Sequence, residues 1–203
     1  MDQLRYTLLA DGSSDQALLQ IINWLLQQKI PGCVLVPQFA NQLGAVGLAL
    51  SDRLPVALKM FPCDLLLVHR DAEGVPAEQR RREIAKVMRH REQRYLPIVP
   101  VRMTEAWLLS NPQAIRRAAG NQHGTGELGL PNRKRWEDRP DPKADLDKAL
   151  LSAGGKRQHR QSRVDLPRQR RLVAEYTEDF TGLRGLPSFD FFESQLVEKL
   201  KEF

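Results

Sequence analysis

The sequence predicts an α/β fold, in which a mostly parallel sheet of about four strands is flanked by helices and followed by a helical C-terminal extension. Short apolar runs alternate with longer segments whose apolar residues recur at helical spacing, as between Leu18 and Leu26. Residues 64–69 form the most apolar short run, which is typical of a parallel strand buried on both faces. A chain of 203 residues can bury such a core without disulfides.

Turn and capping residues delimit the predicted elements. Ser14 caps the first helix, Pro76 opens a charged helix, and Gly154-Gly155 ends a later one. Pro97 and Pro100 predict that the fourth strand is irregular or lies at an edge. The strands are predicted at residues 4–10, 33–36, 64–69 and 96–102. Helices are predicted after Ser14 and at residues 43–60, 76–94, 104–118, 142–152, 167–177 and 188–202.

The composition changes after residue 119. Residues 120–140 are rich in Gly, Asn, Pro and charge, which predicts a long loop. We therefore expect residues 1–119 to form an α/β core, and residues 120–203 to form a basic loop and a helical extension packed on that core.

Several function classes lack their motifs. Cys33 and Cys63 form no CxxC pair, so zinc and dithiol redox sites have no support. The fingerprints of phosphate-loop, dinucleotide-binding, serine-hydrolase and HExxH proteins are missing from the sequence. No apolar stretch approaches the ~20 residues that span a bilayer, and the first residues do not resemble a signal peptide. We therefore expect a cytoplasmic protein with no membrane association.

Acidic residues follow two of the predicted strands. Asp11 comes after the first strand, and Asp71 and Glu73 come after the third. Parallel strands deliver their carboxyl ends to one sheet edge, where three carboxylates would bind Mg²⁺ or Mn²⁺. Each motif alone is typical of a turn, and only their pairing favours a catalytic metal site. Glu105 and Asp15 are either further catalytic acids or ordinary acids of a first helical turn.

The net charge is +6, and many of the cations lie between residues 131 and 171. This excess indicates either a nucleic-acid partner, DNA or RNA, or a solvated basic face. The candidate phosphate-contacting residues are Arg70, Lys143, Lys156, Arg157, Arg160 and Arg163.

These motifs resemble those of TOPRIM domains, which carry Glu-Gly after the first strand and Asp-x-Asp after the third. Here Asp11-Gly12 and Asp71-Ala72-Glu73 stand at those positions, each differing by one methylene. The segment from Asp11 to Asp15 is similar to the start of OLD-like TOPRIM proteins. Thr104-Glu105-Ala106-Trp107-Leu108-Leu109, Pro142-Lys143 and Pro187-Ser188-Phe189 resemble segments of a small bacterial TOPRIM-like family.

The resemblance implies a metal-dependent TOPRIM nuclease, with Asp11, Asp71 and Glu73 as the metal ligands. It also implies a role in phage defence beside an ATPase partner. Two alternatives stay open. The sheet could be a non-catalytic scaffold that binds an ATPase or nucleic acid, with the altered acids as remnants, or it could carry a nucleotide- or RNA-processing enzyme.

Overall fold

A single four-stranded sheet forms the centre of the molecule. The computed structural model describes residues 1–159 and 164–203, without the side chains of residues 156–159. The strands are β1 (Gln3–Leu9), β2 (Val34–Ala40), β3 (Leu65–His69) and β4 (Tyr95–Ile98). They are parallel and lie in the order β2-β1-β3-β4. The predicted fold class, a parallel sheet flanked by helices, is confirmed.

Helices connect the strands and form the C-terminal part of the chain. The first α-helices are α1 (Leu18–Lys29), α2 (Leu50–Met60), α3 (Ala77–Met88) and α4 (Glu105–Leu108). They are followed by α5 (Pro112–Ala118), α6 (Pro142–His159), α7 (Leu166–Tyr176) and α8 (Pro187–Leu200). Short 3₁₀ helices occur at Ser13–Ala17, Arg133–Arg135 and Thr181–Leu183.

Several of the predicted helices have different bounds, and the helix predicted at 76–94 ends at Met88. Residues 43–49 are a loop, which includes Gly44 at a φ of +79°, so the second helix begins only at Leu50. The helix predicted at 104–118 divides into α4 and α5, because the Asn111 side chain caps a new helix that begins at Pro112. Gly155 has a non-helical φ of +55°, so the first part of α6 ends near the predicted stop at Gly154-Gly155, and a second helical segment follows it.

The sheet is covered on both faces, and β3 shows this most directly. Leu65 and Leu67 pack into one apolar cluster, whereas Leu66 and Val68 pack into a second cluster on the opposite face. All five residues of β3 are buried. This alternation follows from the two-residue period of a strand, and it fixes β3 rigidly at the centre of the sheet.

The larger cluster contains residues from both predicted parts of the chain. Trp107 on α4 packs edge-on against Phe189 of α8 and is fully buried, with their ring centroids 5.4 Å apart. Leu146 of α6 and Val173 of α7 belong to the same cluster. The C-terminal helices therefore bury apolar surface together with α4, while the boundary at residue 119 stays a prediction.

Among the described residues, the helices fall short of the length and apolar character needed to cross a membrane.

Candidate functional site

The carboxyl ends of β1 and β3 lie side by side. These strands pair in parallel, with Leu9 opposite Val68. Asp11 and Asp71 follow within three residues, so both reach the edge where ligands bind in open parallel sheets. The structure nevertheless gives the two carboxylates different surroundings.

Asp71 is a largely buried acid close to other acids. Its Oδ1 atom is buried and has no hydrogen-bond partner among the described residues. Burial, together with the negative charges of Asp15, Glu105 and Glu73, raises the pKa of Asp71 to about 8, while the backbone amide of Thr104 acts to lower it. We call the carboxylates of Asp15, Asp71 and Glu105 the acid cluster.

His69, the last residue of β3, lies behind the acid cluster. Its Nδ1 is 3.1 Å from the carbonyl oxygen of Ile98, which can only accept, so Nδ1 carries the proton. Its Nε2 is 3.3 Å from Oγ1 of Thr104, 3.4 Å from Oδ1 of Asp71 and 3.8 Å from Oδ1 of Asp15. Burial lowers the pKa of His69, which favours the neutral ring. A proton on Asp71 would satisfy both Oδ1 and Nε2.

The other two members of the acid cluster come from short helical turns. Asp15 lies in the 3₁₀ helix after β1, and its Oδ2 accepts a 2.9 Å hydrogen bond from the Gly12 amide. Glu105 is the first residue of α4. Burial raises the pKa of Glu105, while its own backbone amide and the charges of Arg170 and Lys143 act to lower it. The charges of both acids predicted as possible assistants therefore act on Asp71.

Asp11 is already paired with cations. Its side chain is 50% exposed, and its two oxygens accept hydrogen bonds of 3.2 Å from Arg53 and Arg70. Arg53 also donates to the carbonyl of Ala10, which fixes it against the end of β1. Asp11 thus carries a charge that two arginines balance.

Glu73 lies at the rim of the site. Its φ of +49° is left-handed, so the backbone is not extended there, and the two-residue spacing does not by itself direct Asp71 and Glu73 to the same side. The Glu73 side chain is 63% exposed, with its Oε2 3.9 Å from Arg80. Its charge still contributes to the raised pKa of Asp71.

The predicted phosphate-contacting residues are distributed differently. Arg70 binds Asp11, and its Nη1 is 3.8 Å from Oε2 of Glu83. Lys143 is exposed on α6, and its charge acts on Glu105. Arg160 and Arg163, and the side chains of Lys156 and Arg157, lie outside the described residues.

A cavity of about 310 Å³ opens beside the acid cluster. Asp15 and Glu105 line it on one side, and α7 contributes Arg168, Arg170 and Arg171 on another. Arg170 donates to both oxygens of Asp147, at 3.0 and 2.9 Å, which holds its guanidinium in place.

The sequence does not single out the arginines of α7. They lie within a long basic stretch, and only the packing of α7 beside the 3₁₀ helix after β1 brings them to the acids. His69 and Thr104 are likewise identified as parts of the site only by their contacts.

The donor set of the acid cluster suits a hard divalent cation. Mg²⁺ and Mn²⁺ favour carboxylate oxygens, and Oδ1 of Asp71 is an acceptor with no donor among the described residues. No group of three or more His, Cys, Asp or Glu side chains in the described part of the chain is arranged to hold a metal ion. Metal binding would therefore require the carboxylates to adjust around the ion.

Comparisons of the chain with models of known protein families, with curated proteins and with solved structures find no match. The resemblance to TOPRIM domains therefore stays an interpretation of the motifs.

Proposed function

We propose that this protein is a divalent-metal-dependent nuclease of TOPRIM type, which hydrolyses phosphodiester bonds at the carboxyl edge of the sheet. One observation carries the proposal. Oδ1 of Asp71 is buried without a donor among the described residues, and the charges of three other carboxylates raise the pKa of Asp71. Such a cluster is stable only with bound protons or a bound cation.

In this proposal, Asp71, Asp15 and Glu105 hold Mg²⁺ or Mn²⁺. The bound ion would supply Lewis-acid stabilisation of charge on a phosphoryl oxygen and a more acidic water molecule. His69 is a positioning residue, because its ring is fixed by Ile98 and faces both Asp71 and Asp15. Asp11 and Glu73, the other two predicted ligands, lie at the rim, where Asp11 pairs with Arg53 and Arg70 and Glu73 is 3.9 Å from Arg80.

The arginines of α7 would bind the substrate phosphates. Arg170 is fixed by Asp147 and faces the same cavity as Glu105, so an anion there would meet a preorganised guanidinium. Phosphate contacts of this kind give affinity without base readout, so they are equally suited to DNA and RNA.

The test combines metal binding and cleavage. Calorimetric titration of the full chain with Mn²⁺ should show binding in the micromolar-to-millimolar range. A panel of single-stranded DNA, duplex DNA and RNA should be cleaved in Mn²⁺ but not in EDTA. Asp71→Asn should lose both properties while keeping the circular dichroism spectrum of the wild type.

The matched control is Glu78→Gln, which neutralises a carboxylate on α3 that pairs with Arg81 and Arg82. Glu78→Gln should bind Mn²⁺ and cleave as the wild type does. Unchanged cleavage by Asp71→Asn would overturn the assignment of the acid cluster.

A second candidate function is a non-catalytic scaffold that binds nucleic acid or an ATPase partner. The ion pairs of Asp11 with Arg53 and Arg70 favour it, because an acid balanced by two arginines does not need a metal. Absence of Mn²⁺ binding by the wild-type protein, together with retained nucleic-acid binding, would select this alternative. The ATPase partner and the defence role rest on the TOPRIM resemblance alone.

A further inference from the structure

A second concave surface lies on the other face of the sheet, between α2 and α3. It has a volume of about 570 Å³, within the range of small-molecule sites. We call it the α2–α3 groove. Its lining includes Leu50, Arg70, Glu83, Lys86, Val87 and Arg91.

The groove combines apolar surface with positive charge. Leu50 and Val87 offer aliphatic contacts, while three cations face the same space. Among the described residues that line the groove, the acid is Glu83, and its Oε2 is 3.0 Å from Nη1 of Arg80 and 3.8 Å from Nη1 of Arg70. The groove therefore keeps an excess of positive charge beside an apolar wall.

We propose that the α2–α3 groove binds one nucleotide unit, with its phosphate on Lys86 and Arg91 and its base against Leu50 and Val87. A nucleotide combines a phosphate, which arginine binds bidentately, with a flat base that packs on apolar side chains. The inference rests on the proposed function for its choice of ligand, because a nuclease substrate presents such units on both sides of the cleaved bond.

Arg70 connects the groove to the acidic residues. It directly precedes Asp71 in the chain, and it binds Asp11 while lining the groove. A strand that enters the groove would therefore continue over the carboxyl edge towards the arginines of α7. This path places nucleotides on either side of the acid cluster, as an enzyme that cuts within a strand requires.

Binding in EDTA tests the inference without any cleavage. A labelled single-stranded oligonucleotide is titrated with the full chain, and its fluorescence anisotropy gives the Kd. Lys86→Glu/Arg91→Glu should raise the Kd at least tenfold. It should also reduce the slope of log K against log salt by about 1.4, the value for two lost contacts to a single strand.

The matched control is Arg82→Glu/Arg89→Glu, which makes the same charge change within and at the end of the same helix. Its Kd should change less than threefold. Equal weakening by the two double variants would mean a diffuse basic surface, and no weakening by the first would mean that the groove does not bind the strand. Either result overturns the inference.

Two competitors identify the source of the nucleotide. Millimolar adenosine monophosphate is added to the oligonucleotide complex of the wild type and to that of Lys86→Glu/Arg91→Glu. If it displaces the oligonucleotide from the wild type but not from the double variant, the groove binds a free nucleotide. Displacement only by oligonucleotides assigns the strand. An abasic strand of equal length should bind the wild type at least threefold more weakly, because it lacks the base that packs on Val87.

The binding and cleavage results separate the two proposals. If the wild type does not cleave but binds the oligonucleotide more tightly than Lys86→Glu/Arg91→Glu does, the nuclease assignment fails and the groove assignment stands. If the wild type cleaves and the groove variant binds and cleaves equally well, the groove assignment fails alone.

Discussion

Asp11 and Asp71 follow neighbouring strands at the same edge of the sheet, yet their side chains have opposite surroundings. Asp11 is half exposed and its charge is balanced by Arg53 and Arg70. Asp71 is largely buried, lies near two further carboxylates, and has one oxygen without a hydrogen-bond donor among the described residues. Neither residue looks different from the other in the sequence, where both follow apolar runs.

The difference shows what distinguishes a structural acid from a reactive one. An exposed carboxylate whose charge is balanced by neighbouring cations changes the free energy of unfolding only slightly. A buried carboxylate among other acids is unfavourable unless it binds a proton or a cation, and perturbed groups of this kind cluster at functional sites. The comparison therefore supports the proposal that the chemistry lies on the Asp71 side of the edge and that Asp11 contributes to structure.

The largest expected difference between the two acids is in activity. Asp71→Asn should lower kcat/KM for metal-dependent cleavage by about a thousandfold, because it removes a charge that the proposed site needs for its metal. Asp11→Asn should lower kcat/KM by less than about tenfold. Both variants are assayed at fixed Mn²⁺ on one oligonucleotide. Equal losses would break the comparison and favour the three-acid site predicted from the sequence.

The second expected difference between the two acids is in the free energy of unfolding of the metal-free protein. The folded-state pKa of Asp71, about 8, lies above the unfolded value of about 4, so the folded state binds more protons between these limits. The free energy of unfolding should therefore fall as the pH rises from 4 to 8. Asp71→Asn should remove this contribution and stabilise the protein at pH 8 by about 2 kcal/mol. Denaturant unfolding in EDTA measures it.

His69 changes stability in the opposite direction, since its lowered pKa means that the folded state binds fewer protons near neutral pH. The contribution of Asp71 is therefore taken as the difference between the wild type and Asp71→Asn at pH 5.5 and pH 8. A gain at pH 8 that is no larger than the gain at pH 5.5 would show that Asp71 is ionised without penalty.

The fold was predictable because its signals are local. The alternation of apolar runs and helical segments predicts the parallel sheet, and β3 matches its predicted range almost residue for residue. The errors arise where tertiary packing overrides local pattern. The apolar residues of 43–49 fit a helix but form a loop, so the second helix begins only at Leu50.

The site was predictable in position but not in composition. Strand ends identify the edge and two of its acids, because parallel strands share one carboxyl edge. Nothing local indicates that Arg53, from α2, reaches back to Asp11, or that Glu73 takes a left-handed conformation. The grouping of Asp15 and Glu105 with Asp71 depends on contacts between residues far apart in the chain.

The smallest expected effect is the change in unfolding free energy caused by Asp11→Asn, with which the effect of Asp71→Asn is compared. Asp11→Asn removes two ion pairs of a half-exposed carboxylate, and such pairs contribute about 1 kcal/mol or less. Its loss of unfolding free energy should shrink in 1 M salt because exposed charges are screened. Denaturant unfolding at two salt concentrations measures this change. A loss above about 2 kcal/mol would mean that Asp11 and its arginines anchor the end of β1, and that the sheet edge depends on both acids rather than on Asp71 alone.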